Sequence, residues 1–314
     1  ATPDPSNMKY AIAVNPIADR EIIFNMNGND LSIENYIGQG SMSQSTEAVL
    51  YALNKNSSIV INDPGKVDLT AFAQTFYAGG IAAGNRYGVT DKPNSIIINN
   101  KADWDHTVKI RGTMGMGGVS SSSIFNINWT GIKCFNQGQV DIKGYADISS
   151  YGAWSLSAIG NQGWIKIGGG KIASENYAAV DVYGAGQVYL NAQGNGADMT
   201  AGDNVLMIEG NLRGSGQFVG NGSGGYINAA FTTSDSYWAG IANAAGGWIS
   251  LAIQDGAVWT NQDGGFQYGS STSSDKTLQS NVDYLYGSSD KQADGVIYQK
   301  QDGDITVNHY QGST

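Results

Sequence analysis

The sequence predicts an all-β protein, a right-handed parallel β-helix (β-solenoid) with short helical insertions in its N-terminal third. A phrase of Gly, then Gln or Trp, then an apolar residue recurs at intervals of 25, 23, 30 and 31 residues. The five copies begin at Gly138, Gly163, Gly186, Gly216 and Gly247. Each opens a short segment of alternating apolar and polar residues, as in a strand with one buried face. An interval of this length accommodates one solenoid coil, whereas a β-sandwich or barrel, the alternative, has turns every 8–12 residues. Connections between parallel strands are nearly always right-handed, so a right-handed coil is predicted.

The composition supports this fold class and excludes several functions. The chain has 314 residues with 44 Gly and 5 Pro, and 41% are hydrophobic, which is too apolar for a disordered linker. Glycine and asparagine supply the backbone angles that tight corners require. Because the net charge is −10, we expect no nucleic acid partner. Without a stretch of about 20 apolar residues, we expect no membrane insertion by this segment.

The pattern divides the chain into three parts. Residues 1–130 are predicted to form the N-terminal part of the β-helix, with a cap and helices over 45–54 and 68–83. The first helix would begin at a capping Ser and the second at Asp68, after which apolar residues follow at helical spacing; a separately folded domain is the alternative. Residues 131–268 are the regular coils. Residues 269–314 are a Ser/Asp/Gly-rich loop and last strands that we expect to continue into a longer chain.

Candidate catalytic groups are few. Of the two histidines, His106 follows Asp103 and Asp105. On an extended segment its side chain would point away from both carboxylates, so a solvated loop is predicted. Four acids on the coils could cleave glycans if two of them lay about 5–10 Å apart. They are Asp141, Asp181, Glu209 and Asp255. Since no Lys or Arg cluster near them in sequence, we interpret them as isolated solvated carboxylates. We predict no catalytic residue, cofactor or metal, and a buried, unreactive Cys134.

What remains is a surface of hydrogen-bonding and stacking groups. Tyrosine and tryptophan anchor protein contacts and stack on sugar rings. The predicted binding residues are Tyr151, Tyr183, Thr232, Thr233, Asp235, Tyr237, Trp238 and Trp259. Many weak contacts along one extended face add up by multivalency, which predicts an adhesive function.

The coil segments resemble passenger domains of Gram-negative (type V) autotransporters, chiefly over residues 131–268. The segments that carry this resemblance are GQVDIKG, GWIKIGGGKI, AAVDVYGAGQVYLNAQG, NVLMIEGNLRGSGQFVGNG and GGWISLAIQDGAVW. The resemblance implies a right-handed β-helix that is exported via the periplasm and displayed on the bacterial surface. A C-terminal membrane barrel outside this segment would anchor it. Because the protease and esterase motifs of catalytic passengers are missing, the resemblance points to the adhesin and self-associating branch.

We therefore expect an adhesin that mediates attachment to host cells or matrix, or self-association in aggregation and biofilm. Its partner would be a host surface protein or glycan, or another copy of itself. Two alternatives stay open. One is a polysaccharide-cleaving β-helix enzyme or phage tailspike that uses paired carboxylates. The other is a structural stalk that binds nothing.

Overall fold

In the computed structural model, most of the described residues lie in β-strands. The structure describes residues 16–37, 48–52, 55–73, 79–84, 92–114, 130–150, 154–160, 163–174, 178–215, 224–244, 246–262, 279–289, 293–300 and 304–314. These ranges contain no α-helix, only the 3-10 turns Trp104–His106 and Gly196–Asp198, and so no helix that could span a membrane. The strands are β1 (Glu21–Asn25), β2 (Leu31–Ile37), β3 (Ala48–Ala52), β4 (Ser58–Asn62), β5 (Val67–Ala73), β6 (Gly79–Gly84), β7 (Asn94–Asn99), β8 (Val108–Met114), β9 (Thr130–Phe135), β10 (Gly138–Ser150), β11 (Trp154–Ile159), β12 (Trp164–Ser174), β13 (Val180–Tyr183), β14 (Gln187–Leu190), β15 (Ala192–Gln193), β16 (Thr200–Ala201), β17 (Leu206–Glu209), β18 (Leu212–Ser215), β19 (Tyr226–Phe231), β20 (Tyr237–Ala239), β21 (Ala242–Asn243), β22 (Trp248–Ile253), β23 (Val258–Asn261), β24 (Ser280–Tyr286), β25 (Val296–Gln299) and β26 (Ile305–Gln311).

The strands pair in three parallel ladders, in which successive members come from successive coils. The first ladder runs β1, β4, β7, β10, β12, β14, β19, β22, β24, β26. The second runs β2, β5, β8, β10, β12, β17, β20, β23, β25. The third runs β3, β6, β9, β11, β13, β18, β21. Strands β10 and β12 turn a corner and join the first two ladders. This topology is compatible with a β-solenoid, and only β15 and β16 pair antiparallel within the described ranges.

The core lies inside the three ladders, because every second side chain of each strand points inward. Identical positions on successive coils stack, so apolar residues form columns along the molecule. One such column in the first ladder consists of Ile59, Ile96, Val140, Ile165, Val188, Ile227 and Ile249, all fully buried. Each coil therefore covers the apolar side chains of its neighbours, as parallel strands buried on one face require.

The repeat phrase marks the register of the first ladder. The residues after Gly138, Gly163 and Gly186 are direct neighbours in the ladder. The copy at 216–218 lies outside the described residues, and the next coil instead enters the ladder at Tyr226, which pairs with Trp248 of the last copy. The phrase Gly225-Tyr226-Ile227 is thus the repeat copy that the sequence pattern did not identify.

The predicted helices are wrong wherever the structure describes them. Within 45–54, residues 48–52 form β3, and within 68–83, strands β5 and β6 fill the described residues. Asp68, the predicted helix cap, is an outward strand residue that accepts a hydrogen bond from Thr70 Oγ1 at 2.9 Å. Pairing with strands on both neighbouring coils supplies more backbone hydrogen bonds than an isolated short helix, which overrides the helical spacing of the apolar residues.

The first coils are also more regular than the sequence indicates. Asn25, Asn62 and Asn99 stack on successive coils 37 residues apart, with the Asn62 amide donating to Asn25 Oδ1 at 3.0 Å and the Asn99 amide donating to Asn62 Oδ1 at 2.8 Å. The first ladder then continues across residue 130 through the pairing of β7 with β10. Residues 1–15, where a cap is predicted, lie outside the described residues.

Candidate functional site

A partly exposed column of rings and amides follows the outer face of the first ladder. We call this set the aromatic column; it consists of Gln139, Trp164, Gln187, Tyr226 and Trp248, which are in-register neighbours on five successive coils. All five occupy the second position of the repeat phrase. Since the next residue in each phrase points into the core, these side chains face outward.

The rings of the column are arranged for stacking. Tyr226 and Trp248 lie nearly parallel, with centroids 6.3 Å apart and an interplanar angle of 10°. Trp248 is 45% exposed. On the adjacent outward position, the Lys166 ammonium lies 4.9 Å from the ring centre of Trp164 and 5.2 Å from that of Tyr189. This cation–π contact fixes the side chains at the middle of the face.

A hairpin forms a wall beside the column. Strands β15 and β16 project from the coil of β14, and the Asn195 side chain between them accepts a hydrogen bond from Asn228 Nδ2 at 2.8 Å. Further along, Gly196 O accepts a hydrogen bond from the Tyr286 hydroxyl at 2.8 Å. The hairpin thus covers the outer face next to the column over three coils. Under it, the buried Asn228 Oδ1 has no hydrogen-bond partner in the described part of the chain.

The outer face of the second ladder carries a charged cluster. Lys171 Nζ lies 2.8 Å from Glu209 Oε1, and the Tyr237 hydroxyl donates to the same carboxylate oxygen. Burial raises the pKa of Glu209, but the hydrogen bonds from Lys171 and Tyr237 outweigh it, so this pKa lies below its usual value. Burial and the bond to Glu209 raise the pKa of Tyr237. The structure therefore brings Glu209 and Tyr237, predicted separately, to one place.

Other outward acids are also paired with cations, contrary to the sequence interpretation. In the second ladder, Arg111 Nη2 lies 2.5 Å from Asp147 Oδ2. Asp141 lies 2.5 Å from Lys143 Nζ. Asp255 sits at a corner with φ of 51°. The pairing partners come from neighbouring coils or the next outward position, which is why their sequence positions did not indicate a cluster.

The third ladder buries polar side chains at an outward position. Lys133, Ser157, Asp181 and Arg213 are in-register neighbours on four coils. Asp181 Oδ1 accepts no hydrogen bond in the described residues and lies 3.7 Å from Arg213 Nε. Burial raises the pKa of Asp181 to about 6 against the opposing effect of Arg213. Burial also lowers the pKa of Lys133 to about 8. Asp181 is thus not the solvated acid that the sequence predicts.

Two of the predicted binding residues belong to the core. Trp238 and Trp259 are fully buried, and their rings stack with centroids 4.7 Å apart. Their indole N–H groups donate to Gly210 O and Gly240 O, each at 3.0 Å. Because these rings occupy inward positions of the second ladder, their prediction as ligand-binding residues is wrong.

The remaining predicted binding residues are spread over the molecule. Thr232 and Thr233 lie at the corner after β19, where Thr232 Oγ1 donates to Gly202 O at 2.6 Å and Thr233 Oγ1 lies 2.9 Å from the Ser236 hydroxyl. Asp235 is exposed at the same corner. Tyr183 is half-buried at the end of β13 in the third ladder. Tyr151 lies outside the described residues. These residues do not form one site with the aromatic column.

The segment around His106 is a surface loop, as the sequence predicts, and within it Trp104–His106 form a 3-10 turn. Asp103 Oδ1 accepts a hydrogen bond from the His106 backbone N–H at 2.9 Å and lies 2.6 Å from His106 Nδ1. Hydrogen bonding to His106 lowers the pKa of Asp103. Asp103 and His106 therefore meet, because the turn brings residues three apart to the same side.

Cys134 is fully buried, as predicted, and burial raises the pKa of its thiol. It occupies an inward column of small residues in the third ladder, between Ala83 and Ala158 of the neighbouring coils. Among the described residues, no group of three or more His, Cys, Asp or Glu side chains is arranged to hold a metal ion.

The aromatic column is not predicted as a site from the sequence, because its residues are interpreted there only as part of the coil repeat. The signal was present: a ring or amide directly before an inward apolar residue must face outward. No protein-family model, curated protein or solved structure matches the chain.

Proposed function

We propose that the chain is a binding segment of a bacterial surface adhesin, with a right-handed β-solenoid as its scaffold and the aromatic column as its contact face. The observation that carries this proposal is the alignment of Gln139, Trp164, Gln187, Tyr226 and Trp248 on five successive coils. An extended partner can touch all five at once, so that individually weak contacts add. Display in the manner of an autotransporter passenger, as the sequence resemblance implies, would expose this face.

The charged cluster on the second ladder favours binding over glycan cleavage. A glycosidase needs one carboxyl group that stays protonated near neutral pH to act as a general acid. Glu209 has the opposite property, because Lys171 and Tyr237 stabilise its ionised form. Asp147 forms an ion pair with Arg111 on the neighbouring coil. The cluster thus ties neighbouring coils together.

Adhesion of coated beads tests this proposal. Beads carrying the purified chain are applied to cultured epithelial cells and to matrix-coated surfaces, with a variant in which Trp164, Tyr226 and Trp248 are all replaced by Ala. Trp104→Ala is the matched control, since Trp104 is 48% exposed but lies on the turn before β8. We expect adhesion to fall at least several-fold in the triple variant and to persist in the control.

The alternative functions predict different results. A stalk gives no adhesion with any form of the chain. A glycan-cleaving enzyme releases reducing ends from polysaccharides, and Glu209→Gln abolishes that release. Self-association makes coated beads clump in the absence of cells or matrix. The triple variant then shows whether the aromatic column is responsible for the clumping.

A further inference from the structure

We infer that the aromatic column binds an uncharged polysaccharide chain that lies parallel to the axis along which the coils stack. This inference rests on the proposed adhesive function and names the ligand class of the same face. It follows from three properties of the face: its charge, the alternation of its side chains, and the hairpin beside it.

The aromatic column is uncharged within a strongly acidic protein, and the outward positions beside it carry one net positive charge, from Lys166. All five side chains of the column are uncharged. Within the described coils that carry the column, the adjacent outward position holds one carboxylate, Asp141, whose charge is balanced by Lys143, and one ammonium, Lys166, which contacts two rings. The net charge of −10 repels polyanions such as sulfated or uronic acid glycans. A ligand without net charge is therefore the complementary one.

The side chains of the column suit sugar rings. Trp248 has the most exposed ring of the column and offers an apolar surface against which the C–H face of a pyranose can pack, while Tyr226 stacks against Trp248 and Lys166 lies over the ring of Trp164. Gln139 and Gln187 lie beside and between these rings and offer amide donors for hydroxyl groups; the Gln139 carbonyl is a further acceptor, whereas Gln187 Oε1 already accepts a hydrogen bond from the Tyr189 hydroxyl. Coils rise by about 4.8 Å, so the column repeats at a step comparable to the length of one sugar in an extended chain. A chain along the axis meets a new side chain at each coil.

The hairpin restricts the ligand to this direction. Strands β15 and β16 cover the neighbouring outward positions, where Asn228 and Ser250 are fully buried. A polysaccharide crossing the face at right angles would collide with this wall, whereas one running along it passes beside Tyr226 and Trp248.

Isothermal titration calorimetry with defined hexasaccharides tests the inference. The neutral probes are cellohexaose, laminarihexaose, xylohexaose and mannohexaose; the anionic probes are hexagalacturonate and a heparin hexasaccharide. We expect at least one neutral probe to bind, none of the anionic ones to bind more tightly, and Trp248→Ala to weaken binding by about tenfold. Trp104→Ala should bind like the wild type. The variants are compared by thermal unfolding, so that a folding defect is recognised.

The outcomes separate the ligand class from the adhesive function. Suppose that beads adhere through the column but only anionic probes bind, or that adhesion survives periodate treatment of the cells and is abolished by protease. In either case the ligand is not a neutral glycan. The inference is then overturned, while the proposed function stands. If the triple variant adheres like the wild type, the proposed function fails with it. Neutral probes that bind equally to Trp248→Ala also overturn the inference.

Discussion

The indole rings of Trp238 and Trp259 stack in the core on adjacent coils, 4.7 Å between centroids and 12° between planes. Phe231 stacks on Trp238 from the same coil at 6.2 Å. These rings fill inward positions that Ile172 and Ile208 occupy on the preceding coils. The close approach of Gly240 to Trp238 is required here, since a Cβ at position 240 would lie 2.6 Å from the indole nitrogen.

Trp238→Ala should be strongly destabilising. Removing a fully buried ring leaves a cavity and an unpaired Gly210 carbonyl, and a loss of about 3–5 kcal/mol in the free energy of unfolding is expected. Urea denaturation followed by circular dichroism measures it. Trp248→Ala, at an exposed position, is the comparison and should change the free energy of unfolding by less than about 1 kcal/mol. Similar losses in both variants would contradict the inward and outward assignment of the two tryptophans.

Asp181→Asn should stabilise the protein at neutral pH. The pKa of Asp181 is about 6 in the folded state against an ordinary value of 3.8, so the folded protein takes up a proton as the pH falls through this window. The wild type is therefore penalised above pH 6, on the order of 2–3 kcal/mol, and the penalty disappears towards pH 3.8. Asn removes the charge at every pH.

Urea unfolding of wild type and Asp181→Asn from pH 4 to pH 7.5 measures this difference. The gap between the two should widen with rising pH. Glu209→Gln provides the opposite sign, because the pKa of Glu209 is lowered: this variant should be less stable than the wild type at neutral pH, with the gap closing in acid. An Asp181→Asn variant that is destabilised at pH 7.5 would show that the carboxylate is paired.

Cys134 should be inert in the folded protein. Its thiol is fully buried and burial raises its pKa, so Ellman's reagent should react only after denaturant is added. Cys134→Ala should be tolerated, whereas Cys134→Leu should cost about 1–3 kcal/mol, because Cys134 is fully buried in the core and a larger side chain would overpack it. Rapid labelling of the native protein would refute the buried position.

The effect of a substitution in the asparagine ladder on the free energy of unfolding should depend on which asparagine is replaced. Asn62 both donates to Asn25 and accepts from Asn99, whereas Asn25 acts as acceptor from Asn62. Asn62→Asp places two oxygens face to face and should cost about 0.5–1.5 kcal/mol. Asn25→Asp adds the same charge but keeps the acceptor, and should be nearly neutral in urea denaturation. Equal effects would mean that charge alone, and not the ladder, determines stability.

The sequence predicts the coils well where a glycine phrase fixes both register and facing. Val140, Ile165 and Val188 follow the phrase directly and all point into the core. The sequence pattern does not identify the coil that enters the ladder at Tyr226. The hairpin of β15 and β16 lengthens the preceding coil and so changes the interval between successive repeat phrases.

The site was harder to predict for a physical reason. Whether a tryptophan faces inward or outward depends on which alternate residues of its strand point into the core. For Trp248 the apolar Ile249 next to it indicates an outward position, and Ile249 is indeed buried. The residues next to Trp238 give no such indication. The contact of Glu209 with Lys171 joins neighbouring coils, so no spacing along the chain indicates it. The prediction of helices is wrong because pairing with neighbouring strands determines the structure of short segments more strongly than their intrinsic helix propensity does.

A face-by-face scan of bead adhesion tests the central claim most directly. Each member of the aromatic column is replaced by Ala in turn, and so is an outward residue of the second ladder on comparable coils: Asp147, Lys171, Met207, Tyr237 and Val258. We predict that adhesion to cells falls for the replacements in the aromatic column, most of all for Trp248→Ala, and stays at the wild-type level for those on the second ladder. Losses confined to the second ladder, or equal on both faces, would contradict the claim that the protein binds through the aromatic column.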